Sequence, residues 1–331
     1  MIITKTPYRL SLFGGGTDYP DWFGKNPSKV VAAAMAHYSY VHVKKLPPFF
    51  DHNIRITYSK VENVLDVNDI EHPSIKACLT HLRLFNGISI GYDGELPARS
   101  GIGSSSSFTV GLLKALYALK SQNVTPYELA MQAIHVEQCI IGENVGIQDQ
   151  IMAAYGGIQV IQMGPGNRYS WTVNSLNMSE DYRKEFESHI LLGFSGISRI
   201  AEIQAKKKVD NIKAGLNHSL LNETVKLTDE AIDSLAKETE MSIIGKLLDD
   251  GWRIKRELAN GVTDLWIDDI YNASLKAGAF GGKLMGAGGG GFLMFIVPPE
   301  KQKEFKEKMD AIKVWVPFKF DMGGSQFVLR G

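Results

Sequence analysis

The sequence predicts a chain of two mixed α and β domains, and three observations carry that expectation. Its 331 residues exceed what one core of ordinary size holds. Short runs rich in Val, Ile, Tyr and Thr are interspersed with longer runs of helical period along the whole chain. A glycine- and serine-rich loop, Pro97 to Ser107, leads into a strongly apolar helical run, as loops that hold a ligand against a rigid element do.

From the N-terminus, Ile2 to Phe13 alternates polar and apolar residues around Pro7 and reads as a strand breaking into Gly14-Gly15-Gly16-Thr17-Asp18-Tyr19-Pro20. A carboxylate at the tip of such a turn can face a ligand or bond its own backbone, and this segment alone favours the second. Val30 to Lys44 and Ile54 to Ser59 read as strands, His72 to Phe85 as a helix and Ile88 to Tyr92 as a short strand.

The loop follows as Pro97-Ala-Arg-Ser100-Gly101-Ile102-Gly103-Ser104-Ser105-Ser106-Ser107. Gly101 and Gly103 allow positive φ and close backbone approach, and the first turn of the next helix offers unpaired N–H groups. That is the build of an anion site able to take a phosphate chain, with the serines as an N-cap or as hydroxyl ligands for magnesium. Standing alone, the stretch reads more readily as a linker or a plain cap. It feeds a helix with apolar recurrence at Phe108, Leu112, Ala115 and Leu119, which argues against a tether.

Thr125-Pro126-Tyr127-Glu128 is a capping box that opens a helix running through Ile134, Glu137 and Ile141 to Gly142. Asp149 comes after a further glycine turn, where a helix cap is the plain alternative to a catalytic role. A hairpin spans Ile158 to Val173, a polar stretch surrounds Ser179 to Lys184, His189 to Phe194 reads as a strand, and Ile197 to about Asn260 is helical almost throughout. Asp268 to Lys276 and Glu300 to Met309 read as helices, with strands at Val314 to Phe320 and Gln326 to Leu329.

The second glycine cluster, Gly286 to Gly291, meets the spacing of a dinucleotide fingerprint but leads into the strand Phe292 to Val297, where that motif needs a helix. Lys283 lacks the following Ser or Thr and the upstream glycine of a P-loop. Both nucleotide folds are excluded, leaving a glycine turn between strands.

The 36 basic and 36 acidic residues cancel and the pI is near 7.1, so no global field draws nucleic acid or an anionic membrane. Cys78 and Cys139 form no CxxC pair, which fits reduced, core or half-buried thiols and argues against structural zinc. The N-terminus has no signal-peptide pattern and no window is long and apolar enough to span a bilayer, so a cytoplasmic location is expected.

Three separated pieces together carry a resemblance. Pro7-x-Arg9-x-x-Leu12-x-Gly14 with Thr17-Asp18-Tyr19, then Pro97 to Ser106, then Lys283-Leu-Met-Gly286-Ala-Gly288-Gly-Gly-Gly291 resemble, in order, the three motifs of the GHMP kinases. The likeness spans nearly the whole chain. Within the family it is nearest to the branch that acts on heptose phosphates, through the Gly14 to Pro20 run, the serines, Gln148-Asp149-Gln150 and Phe194 to Arg199.

The resemblance implies an α+β two-domain GHMP kinase fold: an α/β domain like domain 2 of ribosomal protein S5 over residues 1–178, which binds ATP, and a ferredoxin-like α+β domain over 179–331. It implies that Pro97 and Ser100 to Ser107 wrap the triphosphate and that the Gly286 to Gly291 turn supports them. Asp149 matches the family's catalytic aspartate, which takes the acceptor's proton, and Arg9 holds it ionised and steadies charge near the γ-phosphate. Ser105 and Glu137 fall where relatives hold Mg2+, although Glu137 precedes Asp149 by twelve residues, one more than in the mevalonate kinase pattern. A solvated helix carboxylate remains the alternative for Glu137.

Asp18, Thr17, Gly16, Gly286, Gly288 and Arg199 are the implied sugar contacts, with Arg199 and Arg99 as cations for a distal phosphate. Gly15-Gly16 stands where galactokinases and mevalonate kinases have Glu-His, which counts against those substrates. The implied reaction is ATP- and Mg2+-dependent phosphorylation of the anomeric hydroxyl of D-glycero-D-manno-heptose 7-phosphate. Its product, the 1,7-bisphosphate, would lead to nucleotide-activated heptose for surface polysaccharide. The partner expected is this small-molecule sugar phosphate, with no nucleic acid or membrane, and a homodimer is left open. A kinase of fucose or galactose, or a non-catalytic sugar sensor, are the alternatives, and the presence of both Asp149 and Arg9 weighs against the sensor.

Overall fold

The computed structural model describes residues 1–196 and 201–331. Its strands are β1 (Ile2–Phe13), β2 (Ser28–Lys45), β3 (Ile54–Thr57), β4 (Val61–Val64), β5 (Ile88–Gly94), β6 (Ile158–Met163), β7 (Trp171–Ser175), β8 (Ile190–Phe194), β9 (Gly281–Leu284), β10 (Phe292–Ile296), β11 (Val314–Val316) and β12 (Gln326–Arg330). The helices are α1 (Pro20–Phe23), α2 (Pro73–Leu82), α3 (Ser104–Leu119), α4 (Pro126–His135), α5 (Gln148–Tyr155), α6 (Glu180–His189), α7 (Ala201–Lys213), α8 (His218–Ala236), α9 (Met241–Glu257), α10 (Leu265–Lys276) and α11 (Gln302–Lys308).

The first sheet has the order β12-β1-β2-β5-β3-β4, with β6 joined to the early half of β2 and β7 paired to β6. The strand period of two explains its position between two cores. Along β2, Val30, Ala32 and Ala34 join a core with α2 to α5, while Val31, Ala33 and Met35 join another with Leu192, Ile244, Met285 and Phe292. The central strands are therefore buried on both faces, and the small side chains of Ala32 to Ala34 leave room for both layers.

The second sheet, β11-β8-β10-β9, is antiparallel throughout. With chain order β8, helices, β9, β10, α11, β11, this is the split βαβ arrangement of a ferredoxin-like unit, and α9 and α10 cover β9. Position 178/179 falls between β7 and α6, yet the chain later returns: β12 pairs with β1 and completes the first sheet.

Most expected elements are present, and the differences have local causes. The polar stretch from Ser179 to Lys184 is the start of a helix: Ser179 accepts from the Tyr182 N–H and caps α6, while only Tyr182 and Phe186 are buried. The strand expected to run to Phe320 ends at Val316, and Phe320 keeps only a single bridge to Met35. Cys78 is buried as expected, whereas Cys139 is exposed.

Candidate active site

β1 and α5 bring Arg9 and Asp149 together. Arg9 Nε donates to Asp149 Oδ1 at 2.7 Å and Nη2 to Oδ2 at 2.8 Å, a two-pronged ion pair. Asp149 lies in the first turn of α5, but its carboxylate is taken by the guanidinium, which separates it from a plain helix cap. The third arm of Arg9, Nη1, donates to Gly101 O at 2.6 Å, and Arg9 N donates to Ile102 O. One side chain thus ties the ion pair to the loop.

The loop is tied from the opposite side by the second glycine cluster. A Cβ on Gly101 would stand 2.7 Å from Met285 O, and one on Gly286 would stand 2.4 Å from Gly101 Cα, so each backbone occupies the other's side-chain space. Gly103, at φ 72°, would carry a Cβ 3.3 Å from Asp149 Oδ2. Ser100 O accepts from Phe292 N, and Ser100 Oγ donates to Pro97 O. Gly288 meets the Val262 backbone. The close approach that Gly286 and Gly288 serve is thus to protein backbone.

The serines have separate tasks. No side chain caps the α3 N-terminus, so its first N–H groups and its dipole face the loop. Ser104 Oγ accepts from Arg99 N, and Ser107 Oγ donates to Pro7 O. Ser106 Oγ donates to Glu137 Oε2 at 2.8 Å, while Ser105 is exposed. The serine that touches the acidic residue is thus Ser106, while the hydroxyl of its neighbour Ser105, the expected magnesium ligand, stays exposed.

Glu137 is fully buried on a π-helical turn, Val136–Ile141, that extends α4. A π turn holds one residue more than an α turn, which accommodates the extra residue between Glu137 and Asp149. Gln150, next to Asp149, also donates to Oε2, while Oε1 is buried with no hydrogen-bond partner among the described residues. Burial first, then the Glu143 carboxylate, push the Glu137 carboxyl up to about 7. A solvated helix carboxylate is ruled out for it. Among the described residues no cluster of three or more His, Cys, Asp or Glu side chains forms a metal cage.

Asp18 is buried beside this pair. Its carboxylate accepts from Gly16 N at 3.0 Å, the local bond expected of a tight turn, and also from Gln148 Nε2 at 3.0 Å. Burial, then the Asp149 charge, push its carboxyl up, against the pull of the Gly16 and Gln148 N–H groups. Thr17 is buried and donates to Gly14 O, which makes it a brace of the turn. Arg199 lies outside the described residues.

The sequence reading missed three buried lysines. Lys208 on α7, Lys255 on α9 and Lys283 on β9 are 5%, 8% and 6% exposed. Lys283 Nζ donates to Leu12 O at 2.8 Å and Lys255 Nζ to Leu284 O at 2.6 Å. A signal existed: Lys255 follows Leu248 and Trp252 on the apolar stripe of α9, where a lysine is out of place.

Residues 73–157 match the family of GHMP kinases N terminal domains, and residues 231–313 match the GHMP kinases C terminal family. The chain is similar to D-glycero-alpha-D-manno-heptose 7-phosphate kinase of Campylobacter jejuni, 29% identical over 91% of each chain. It is 31% identical to mevalonate kinase of Thermococcus sibiricus over 66% of this chain and 62% of that one. A crystal structure of D-glycero-D-manno-heptose 1-phosphate kinase from Bacteroides thetaiotaomicron superposes with a TM-score of 0.80 at 23% identity, covering 99% and 98% of the two chains. GHMP kinases use ATP, typically with a divalent metal. The two family regions cover just over half of the 331 residues, and this chain belongs to the GHMP kinases, phosphotransferases that act on an alcohol group.

Proposed function

We propose that this protein transfers the γ-phosphate of ATP to the anomeric hydroxyl of D-glycero-D-manno-heptose 7-phosphate, giving the 1,7-bisphosphate. The observation that carries the chemistry is the Arg9–Asp149 ion pair, strapped through Arg9 Nη1 to the phosphate-loop backbone. The likeness to the heptose 7-phosphate kinase over 91% of both chains supports the acceptor.

In this reading the acceptor hydroxyl approaches Asp149, whose carboxylate takes its proton as the bond to phosphorus forms. Arg9 compensates the aspartate charge and lies where charge builds on the transferred group. Loop N–H groups from Gly101 to Ser107 hold the phosphates, and Asp18, oriented by Gln148, accepts from sugar hydroxyls. The orphaned Glu137 Oε1 and a loop serine hydroxyl are hard oxygen donors that would suit Mg2+. When bound, the ion would neutralise charge on the phosphate oxygens.

The test is ADP release from Mg2+ and ATP with four acceptors. We expect kcat/KM for D-glycero-D-manno-heptose 7-phosphate to exceed that for the unphosphorylated heptose, fucose or galactose by about 100-fold or more. Comparable turnover of fucose or galactose would overturn the acceptor, and ATP binding without any turnover would leave a sugar sensor.

A further inference from the structure

The structure places three ammonium groups from three different elements around the Gly14 to Asp18 turn. Lys283 reaches from β9 to Leu12 O, two residues before Gly14. Lys255 lies one helical turn before Leu258, and its Nζ rests on Leu284 O, next along β9 from Lys283. Lys208 lies three residues before Asn211, whose Nδ2 donates to Leu258 O at 3.0 Å, so α7 presents Lys208 on the face that meets the end of α9. Leu258 in turn reaches the glycine turn: a Cβ on Gly16 would stand 3.2 Å from its Cδ1.

Among the described residues the charges in this cluster are not balanced. Among the described residues none of the three lysines forms an ion pair with a carboxylate. Lys208 also has no hydrogen bond among the described residues, although it feels the Asp18 charge. Asp18 is already occupied by Gly16 and Gln148, and Asp149 by Arg9. Burying an ammonium without a counter-ion is costly, and Arg9 adds repulsion at Lys255 and Lys283. Burial, with that repulsion second, pulls Lys283 down to about 7 and also holds Lys255 well below the ordinary lysine range; burial alone lowers Lys208, to about 8, against the Asp18 charge. A folded protein that keeps such a cluster beside its acceptor site is built to receive an anion there.

We propose that Lys208, backed by Lys255 and Lys283, is the anion-binding end of the acceptor site and takes the phosphomonoester of a sugar phosphate whose hydroxyl faces Asp149. The inference rests on the sugar-kinase reading above and narrows its substrate class to monophosphorylated sugars. It assigns the distal phosphate to buried lysines of the C-terminal half, and not to the Arg99 and Arg199 that the sequence suggested. Lysine suits the task, since a compact, flexible point charge meets a phosphate from several directions.

Lys208→Met and Lys208→Arg are compared with wild type, using D-glycero-D-manno-heptose 7-phosphate and the unphosphorylated heptose as acceptors. Lys208→Met should raise KM for the phosphorylated sugar about tenfold or more, leave kcat within about threefold, and cut the preference for the phosphorylated acceptor in proportion. Lys208→Arg should recover most of that preference, and the melting temperature of Lys208→Met should hold or rise, because a buried unpaired charge is removed. A preference unchanged in Lys208→Met overturns the inference and leaves the heptose reading standing. If no heptose turns over, the heptose reading has failed, and the lysines are tested by titrating inorganic phosphate and mannose 6-phosphate onto the complex with Mg2+ and AMP-PNP. Saturable binding that Lys208→Met abolishes upholds the anion site, while equal or absent binding overturns it.

Discussion

Asp149 and Glu137 are carboxylates one hydrogen-bonded neighbour apart, since Gln150, which follows Asp149, donates to Glu137. Their surroundings differ in kind. The Asp149 side chain is 23% exposed and locked to a guanidinium, whereas Glu137 is 0% exposed and held by the neutral donors Ser106 and Gln150. A paired carboxylate keeps its charge compensated and remains within reach of an incoming hydroxyl. A sealed one, raised to about 7, must take either a proton or a metal ion to settle its charge. The same functional group is thereby divided between a proton acceptor and a cation ligand by neighbours alone.

The sharpest way to break this division is Asp149→Asn. The amide keeps the size and one acceptor for Arg9 but takes no proton, so kcat should fall by about 10²- to 10⁴-fold with KM for ATP little changed. Steady-state rates beside nucleotide titration measure both. A variant that keeps kcat within tenfold of wild type would move the base elsewhere, with Asp18 the next carboxylate to examine.

Much of this geometry was legible in the sequence. The strand before Gly14, the capping box at Thr125 and the glycine turn between β9 and β10 rest on local chemistry, and the folded chain keeps all three. The loop was legible for the same reason, because Gly101 and Gly103 serve backbone conformations that neighbours in sequence already demand. What escaped depends on contacts across the chain. That Ser106 and not Ser105 meets Glu137 is set by the rotation of α3 against the π turn, and no periodicity in a run of four serines encodes it. Nor does spacing place Lys208, Lys255 and Lys283 together, since they come from α7, α9 and β9 and meet only once the C-terminal sheet packs under β1.

A second prediction sharpens the contrast through pH. The Glu137 carboxyl is raised in the folded state, so its ordinary unfolded form ionises first as pH increases. No penalty exists below the unfolded value near 4.5. Stability then falls as pH rises towards about 7 and levels off above it, by an amount on the order of 3 kcal/mol. Glu137→Gln removes that titration. Between pH 5 and pH 8, denaturant midpoints should fall more for wild type than for the variant, while Asp18 and other shared groups cancel in the difference. Parallel pH profiles would show that Glu137 is not raised. At pH 8 the same variant should need more Mg2+ to reach half its maximal rate, which separates a ligand from an inert buried acid.

The smallest expected effect distinguishes the two central serines. Ser106→Ala deletes a hydroxyl donor to a buried carboxylate and leaves the Gln150 amide as its partner on that oxygen. A lost bond to an ionised group costs more than one to a neutral group, so the loss of about 1 to 2 kcal/mol should be larger at pH 8 than at pH 5. Ser105 is exposed, and Ser105→Ala should leave stability within about 0.5 kcal/mol at either pH. If Ser105→Ala nonetheless raises KM for Mg2+ and ATP while Ser106→Ala acts mainly on stability, the exposed hydroxyl serves the ligand and the buried one serves Glu137. If the two variants exchange effects, the Ser106 hydroxyl serves the ligand, and Glu137 must give up that donor when nucleotide binds.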